Sequence, residues 1–233
     1  MDAMKRRDET GLLSRRAILG LLSAQAIAAL MPAQTAAGGN LGGKLPMKFD
    51  RDRFVESCIA AHRDHDPQAA VRDVLARAIS DAPTVLAALG SPTRAGLDVL
   101  HRSPTLTIFA AHWAPRMCLP AHDHRLWALI GIYSGREDNI LWRRTDGGIE
   151  AREAKVLFER DVAELPSDAI HSVTNPLERY TAGIHIYGGD FFATPRSQWN
   201  PESLREEPSD GAAIRKMFER ENQRTCSEQS ATG

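Results

Sequence analysis

The sequence predicts a mainly β protein, an antiparallel barrel or sandwich that follows a short helical element, and three observations carry that prediction. Apolar residues between Asp50 and about Gly90 recur at the three- and four-residue spacing of amphipathic helices. After about Ser103 the chain breaks into short runs rich in β-branched and aromatic residues, each bounded by turn residues. No helical stretch separates those runs, which argues for antiparallel pairing rather than an α/β fold.

The helical element divides at Pro67. Phe54, Val55, Cys58 and Ile59 form one apolar set, and Ala70, Val71, Val74, Leu75 and Ala78 form the next, with Asp66 as the cap that opens the second helix. Gly90-Ser91-Pro92-Thr93 ends the helical region. Strands are then expected at Thr105 to Trp113, Leu126 to Tyr133, Asn139 to Arg143, Lys155 to Phe158, Asp161 to Glu164, His171 to Thr174 and Tyr180 to Tyr187. Ser134-Gly135-Arg136-Glu137 and Thr145-Asp146-Gly147-Gly148 read as hairpin turns between neighbours. From Pro195 the chain turns polar. A helix is expected from Ala212 to Glu221, and a disordered tail from Asn222, where apolar periodicity is lost.

The 233 residues suffice for one sizeable domain with appendages: residues 1–46, a helical element at 47–100, a barrel at 101–200, and a C-terminal helix and tail at 201–233. With 42% hydrophobic and 25% charged residues the composition is globular, which excludes collagen-like and wholly disordered readings. Lys and Arg number 29 against 30 Asp and Glu, so the overall field does not attract phosphate backbones and nucleic acid is not an expected partner. Cys58, Cys118 and Cys226 lie far apart with no CxxC pair, so neither a disulfide framework nor a thiolate zinc site is indicated. Any metal chemistry falls to histidine.

Residues 1–46 have a texture of their own. Basic Lys5, Arg6 and Arg7 precede Ser14-Arg15-Arg16 and an apolar run from Ala17 to Met31, the order of a secretory signal. That run of about 15 residues falls short of the roughly 20 needed to span a bilayer, so no stable membrane span is expected. Ser14-Arg15-Arg16 resembles a twin-arginine export signal and Thr35-Ala36-Ala37 offers a cleavage site, which implies a periplasmic protein. The alternative is a cytoplasmic protein whose true start is Met47.

Pro120-Ala121-His122-Asp123-His124 precedes a strongly apolar run, and residues two apart on a strand share a face, so His122 and His124 converge. His171 stands at the entrance of another strand, after Leu165-Pro166-Ser167-Asp168-Ala169-Ile170. Three imidazoles on one side of a divalent ion leave the opposite positions open for substrate and oxygen, as in a catalytic rather than a structural site. His62, His65, His101 and His112 read as structural or solvated, Cys118 as a buried filler, and Trp127 as lining the pocket or packing beneath it.

These segments resemble the two cupin motifs, and more narrowly those of the thiol dioxygenases, the group of cysteine dioxygenase and 3-mercaptopropionate dioxygenase. In the first motif His122, His124 and Gly135 match, while Ala128 stands where the motif has Glu. In the second, Pro166, His171 and Asn175 match, and Asp168 replaces a glycine. The leading glycines of the two motifs are replaced by Arg116 and Arg160. Gly183-Ile184-His185-Ile186-Tyr187 resembles the group's Ser-x-His-x-Tyr with Gly183 in place of serine, so a relay to the tyrosine is expected to be shortened or completed by water. Arg196 matches an arginine implicated in holding the substrate carboxylate in 3-mercaptopropionate-type enzymes, and Arg102 is placed similarly to the carboxylate-binding arginine of cysteine dioxygenase.

The resemblance implies a cupin double-stranded β-helix barrel with N-terminal helices packed outside it. It implies Fe(II) held by His122, His124 and His171, and transfer of both atoms of O2 to the sulfur of a small carboxylate-bearing thiol, giving a sulfinate. His185 and Tyr187 would be the catalytic pair, with Tyr187 donating a hydrogen bond toward oxygen or substrate, and Arg196 and Arg102 would bind substrate. Without a carboxylate ligand the site keeps the ion's full charge, which favours an anionic thiolate. No cysteine lies in Leu126 to Ile132, so no thioether to Tyr187 is expected. Cysteine, 3-mercaptopropionate and mercaptosuccinate are all open as the thiol. Another metal-dependent cupin enzyme, whether dioxygenase or isomerase, and a non-catalytic cupin binding module stand as alternatives.

Overall fold

The structure, a computed structural model, describes residues 48–231. The export segment, its cleavage site and the alternative start at Met47 lie outside the described residues. No described helix is long and apolar enough to cross a membrane.

Three helices come first: α1 Arg51–Ala61, α2 Pro67–Ile79 and α3 Ala82–Leu89. Their ends are set locally. Asp50 and Asp66 accept hydrogen bonds from Arg53 N at 2.8 Å and Ala69 N at 3.2 Å, satisfying donors that a helix start leaves unpaired. Pro67 opens α2, and Gly90 ends α3 at a φ of 86°.

The strands among the described residues are β1 Gly96–Arg102, β2 Thr107–Trp113, β3 Cys118–Asp123, β4 Ala128–Ser134, β5 Arg136–Thr145 and β6 Gly148–Phe158, then β7 Val162–Leu165, β8 Ile170–Thr174, β9 Thr181–Tyr187, β10 Ser197–Trp199 and β11 Glu206–Pro208. Helix α4, Gly211–Ala231, closes the described chain. One sheet runs β1-β2-β9-β4-β7 and the other β11-β10-β3-β8-β5-β6, with antiparallel pairing throughout. From β2 to β5, and again from β7 to β10, the chain changes sheet at every step. That alternation winds it into the cupin double-stranded β-helix.

Strands β2, β4 and β9 are buried on both faces, which explains their near-continuous apolar sequences. Phe109, Trp113, Ile130, Ile132 and Tyr187 point into the barrel core. Ile108, Leu129, Tyr133, Ile184 and Ile186 point the other way, into a second core with Val71, Leu75 and Ile79 of α2 and Val85 of α3. The helices therefore cover one sheet from outside. Gly131 permits their approach, because a Cβ there would stand 2.9 Å from the Leu75 side chain.

The structure corrects several expectations. β1 begins inside the stretch assigned to the helical element, held by pairing to β2 rather than by its own half-exposed, mixed sequence. β3 carries Pro120 and an irregular register against β8, and β10 and β11 are three residues each, too short and mixed for alternation to reveal. Ser134 to Glu137 is not a hairpin: Gly135, at a φ of 85°, turns the chain from one sheet into the other, and Glu137 lies buried within β5. The Thr145-to-Gly148 hairpin forms as expected. Cys118 is exposed rather than a buried filler. Trp127 packs against Gly188 on the helical side, beneath the barrel interior.

The tail from Asn222 is helical rather than disordered. Ile214, Met217 and Phe218 dock α4 on the barrel core, and Phe218 stacks on Trp113 with ring centroids 5.8 Å apart. Beyond them the anchor is polar: Asn222 accepts from Ala95 N at 2.6 Å and donates to its carbonyl at 3.0 Å, and Arg224 donates to the Pro115 carbonyl. Arg116 and Arg160, where the cupin motifs have glycine, adopt φ of 58° and 77°. The barrel keeps the left-handed corners that glycine suits and builds them with arginine.

Replacing Asn222 by Ala removes both bonds to Ala95. Urea unfolding is expected to show a loss of about 1–3 kcal/mol, with faster amide exchange concentrated in α4.

Candidate metal centre

Pairing of β3 with β8 sets His122 opposite His171, and His124 follows one residue beyond the end of β3. The His124 Nε2 atom lies 3.2 Å from that of His122 and 3.3 Å from that of His171. The outer nitrogens of two rings are anchored: His122 Nδ1 lies 2.9 Å from the Pro120 carbonyl, and His171 Nδ1 lies 2.7 Å from Asn139 Oδ1. A carbonyl oxygen accepts, so each of these rings carries its proton on Nδ1 and turns the Nε2 lone pair inward.

Such a set fits a divalent cation. Nitrogens about 2.0–2.1 Å from one ion stand about 2.8–3.4 Å apart at octahedral to tetrahedral angles, a range that holds both separations from His124, and all three donor atoms lie within 4.8 Å of one another. Among the described residues no carboxylate joins the group, and Ala128 supplies no donor. Burial holds the rings neutral, as metal ligation requires: the His122 pKa is pushed down to about 4, and those of His124 and His171 fall well below the ordinary value, with the neighbouring positive groups adding to the effect.

Behind the three imidazoles lies a buried polar chain. Asn139 donates to Glu137 Oε1 at 3.0 Å, and Trp113 Nε1 donates to Glu137 Oε2 at 2.7 Å. His185 Nε2 stands 3.4 Å from the same oxygen, without the alignment of a hydrogen bond, and His185 Nδ1 lies 3.3 Å from the Tyr187 hydroxyl. Burial alone would raise the Glu137 pKa; the facing His185 ring, Asn139 and Trp113 outweigh it and hold the carboxyl below its usual range. Burial raises the Tyr187 phenol. The open end of the His185–Tyr187 pair, expected to be shortened or filled by water where Gly183 replaces serine, faces a carboxylate.

A cavity of about 640 Å³ joins these groups. The three histidines, His185, Tyr187, Arg196 and Arg102 all line it, with aromatic walls from Phe109 and Phe191, and with Phe218 of α4. The two arginines differ. Arg102 is held by Asp190 through two hydrogen bonds, of 2.9 and 3.0 Å. Arg196 makes no ion pair among the described residues; its guanidinium lies 3.8 Å over the Phe191 ring, which is itself 4.4 Å from the Tyr187 ring. Burial lowers the Arg196 pKa, the signature of a cation drawn from water.

Sequence reasoning missed Glu137, Asn139 and Trp113. A signal was present, since Glu137 and Asn139 are two apart and share a face once β5 is extended back to Arg136.

No family model matches the chain. Its fold is similar to that of an uncharacterized double-stranded β-helix protein from Klebsiella pneumoniae, with 13% identity and a TM-score of 0.37 over 47% of this chain and 82% of that one. A RmlC-like cupin family protein from Methanocaldococcus jannaschii gives 12% and 0.37, over 43% and 85%. A DMSP lyase from Ruegeria pomeroyi gives 18% and 0.38, over 63% and 77%.

Two outcomes follow from the geometry. His171→Ala removes a donor opposite His122 and is expected to abolish stoichiometric Co(II) binding in calorimetry while leaving the circular dichroism spectrum unchanged. In the metal-free protein the buried histidines resist protonation while those of the unfolded chain accept it, so acid favours unfolding. Their contribution is whole above about pH 6.5 and is lost as pH falls toward about 4, the value for His122. Melting temperature measured across that window is expected to fall with pH.

Proposed function

We propose that the protein is an Fe(II)-dependent thiol dioxygenase that converts a small carboxylate-bearing thiol and O2 into the sulfinate. The observation that carries this reading is the company the three imidazoles keep: no carboxylate ligand, a His–Tyr pair beside them, and an unpaired arginine in the same cavity. Iron held by His122, His124 and His171 would supply the electronic path between thiolate and O2. In the balance two S–O bonds form and the O–O bond breaks; sulfur loses four electrons to O2, and no outside reductant is needed.

The chain's own groups divide the remaining work. His122, His124 and His171 are neutral donors that leave the centre positive, which favours a thiolate over a thiol. Arg196 presents a planar fork to the substrate carboxylate. Arg102, already satisfied by Asp190, shapes the rim. Tyr187, held by His185 and by contact with the His124 and Phe191 rings, sets its hydroxyl beside the reacting sulfur. Phe109, Phe191 and Phe218 limit water in the cavity, which strengthens each charged contact inside it.

Anaerobic reconstitution with Fe(II), followed by oxygen uptake against a panel of thiols that includes cysteine, 3-mercaptopropionate and mercaptosuccinate, tests the assignment. One O2 consumed per sulfinate formed is expected with at least one of them, and no uptake with any thiol overturns it. Arg196→Met is expected to raise KM for a carboxylate-bearing thiol about tenfold to a hundredfold, the worth of a charge-assisted bond, and to leave thiols without a carboxylate unaffected. Export through a twin-arginine signal is part of the same proposal; N-terminal sequencing of the native protein decides between cleavage near Ala37 in the periplasm and a start at Met47 in the cytosol.

A further inference from the structure

Glu137 has no solvent exposure, and three nitrogens converge on its two oxygens: Asn139 Nδ2 on one, Trp113 Nε1 and His185 Nε2 on the other. An ionised carboxylate only accepts, so Asn139 and Trp113 turn their protons toward it, while the His185 Nε2 edge faces its charge without an aligned hydrogen bond. We propose that Glu137 is a positioning residue that fixes the donor–acceptor polarity of two hydrogen-bonded strings at once, one ending at the metal ligand His171 and the other at Tyr187.

Along the first string, Asn139 commits its amide nitrogen to Glu137 and therefore turns Oδ1 toward His171. His171 must donate from Nδ1 to meet that oxygen, which leaves the Nε2 lone pair facing His124 and the centre. Along the second, the Nε2 edge of His185 faces Glu137 at 3.4 Å outside hydrogen-bond alignment; a proton on that atom lies nearer the carboxylate's charge than one on Nδ1, so the Nε2–H form is favoured and Nδ1 is left to accept. Before substrate enters, the Tyr187 hydroxyl at 3.3 Å then donates to that nitrogen. Gly183 leaves this end of the relay open: a Cβ there would lie 3.5 Å from His185 Nε2. Neither string reads correctly if its anchor can donate. A glutamine at 137 has one accepting oxygen for three incoming donors. With that oxygen accepting from Trp113 on the side that His185 faces, its amide group faces Asn139, which must flip and present its own amide nitrogen to His171.

The first string rests on the reading of His171 as a metal ligand; neither string rests on the thiol chemistry. The test uses the full chain, metal-free, with ¹⁵N-labelled imidazoles, whose nitrogen shifts report which atom carries the proton. In the wild type His171 is expected as the Nδ1–H form and His185 as the Nε2–H form. Glu137→Gln is expected to move His171 to the Nε2–H form and weaken Co(II) binding about tenfold to a hundredfold. Asn139→Ala should weaken Co(II) binding without changing the His185 form. The opposite tautomer at either histidine in the wild type overturns the proposal, and that spectrum needs no variant to fold. A Glu137→Gln protein that binds Co(II) more weakly with His171 unchanged overturns it as well, because general loosening then explains the loss. Oxygen uptake is not among these readouts, so failure of the thiol assignment and failure of this one are seen separately.

Discussion

A one-residue slip between β3 and β8 would exchange their inward and outward side chains. The register that prevents it sets His122 against His171, and the rest of the centre is built on that pair. The irregularity in the ladder between Leu119 and His122 sets the phase at which His122 meets His171, and His124, one residue beyond the strand, lies in line with the other two rings. The outer nitrogens are then tied to oxygens from two different elements, the Pro120 carbonyl in β3 itself and Asn139 in β5. The orientation of these two rings is thus a property of the six-stranded sheet rather than of a loop.

The opposite sheet provides what the imidazoles face. β2, β9 and β4 lie side by side, with His185 opposite both Phe109 and Ile130, so the polar residue sits at the centre of an otherwise apolar wall. An isolated ionisable group there would be costly. Glu137 reaches across from the other sheet and makes the arrangement tenable, with Trp113 closing the remaining direction. Helices α1 to α3 seal the back of the same wall. The interior can therefore hold a connected polar chain without admitting bulk water.

Where the deciding interaction was local, the sequence was readable. Asp66 and Pro67 mark the start of α2 because capping needs nothing beyond the next turn. The three histidines lie together as their spacing and setting suggest, and His185 with Tyr187 is legible only through the resemblance of its segment to a known motif. What escaped notice was held from a distance. β1 is a strand because β2 lies alongside it, and α4 continues past Glu221 because Asn222 finds the Ala95 backbone, a bond between residues far apart in the chain. Gly135 carries the same local signal for a sheet-to-sheet corner as for a hairpin, so Glu137 was placed in a turn and its burial was not anticipated. Arg116 and Arg160 break the expected motif pattern in letters while keeping its backbone shape.

The cavity has walls of two kinds. Strands β2, β3, β8 and β9 supply its floor, and every residue there is also a rung of the barrel's hydrogen-bond ladders. Ile214, Arg215, Phe218 and Glu219 supply the facing side from α4, a helix that belongs to no ladder. Substitutions on that helix can resize or recharge the chamber while the backbone pairing beneath the imidazoles stays as it is. Part of the chamber's shape is thus set by a stretch of chain that carries none of the barrel's backbone pairing.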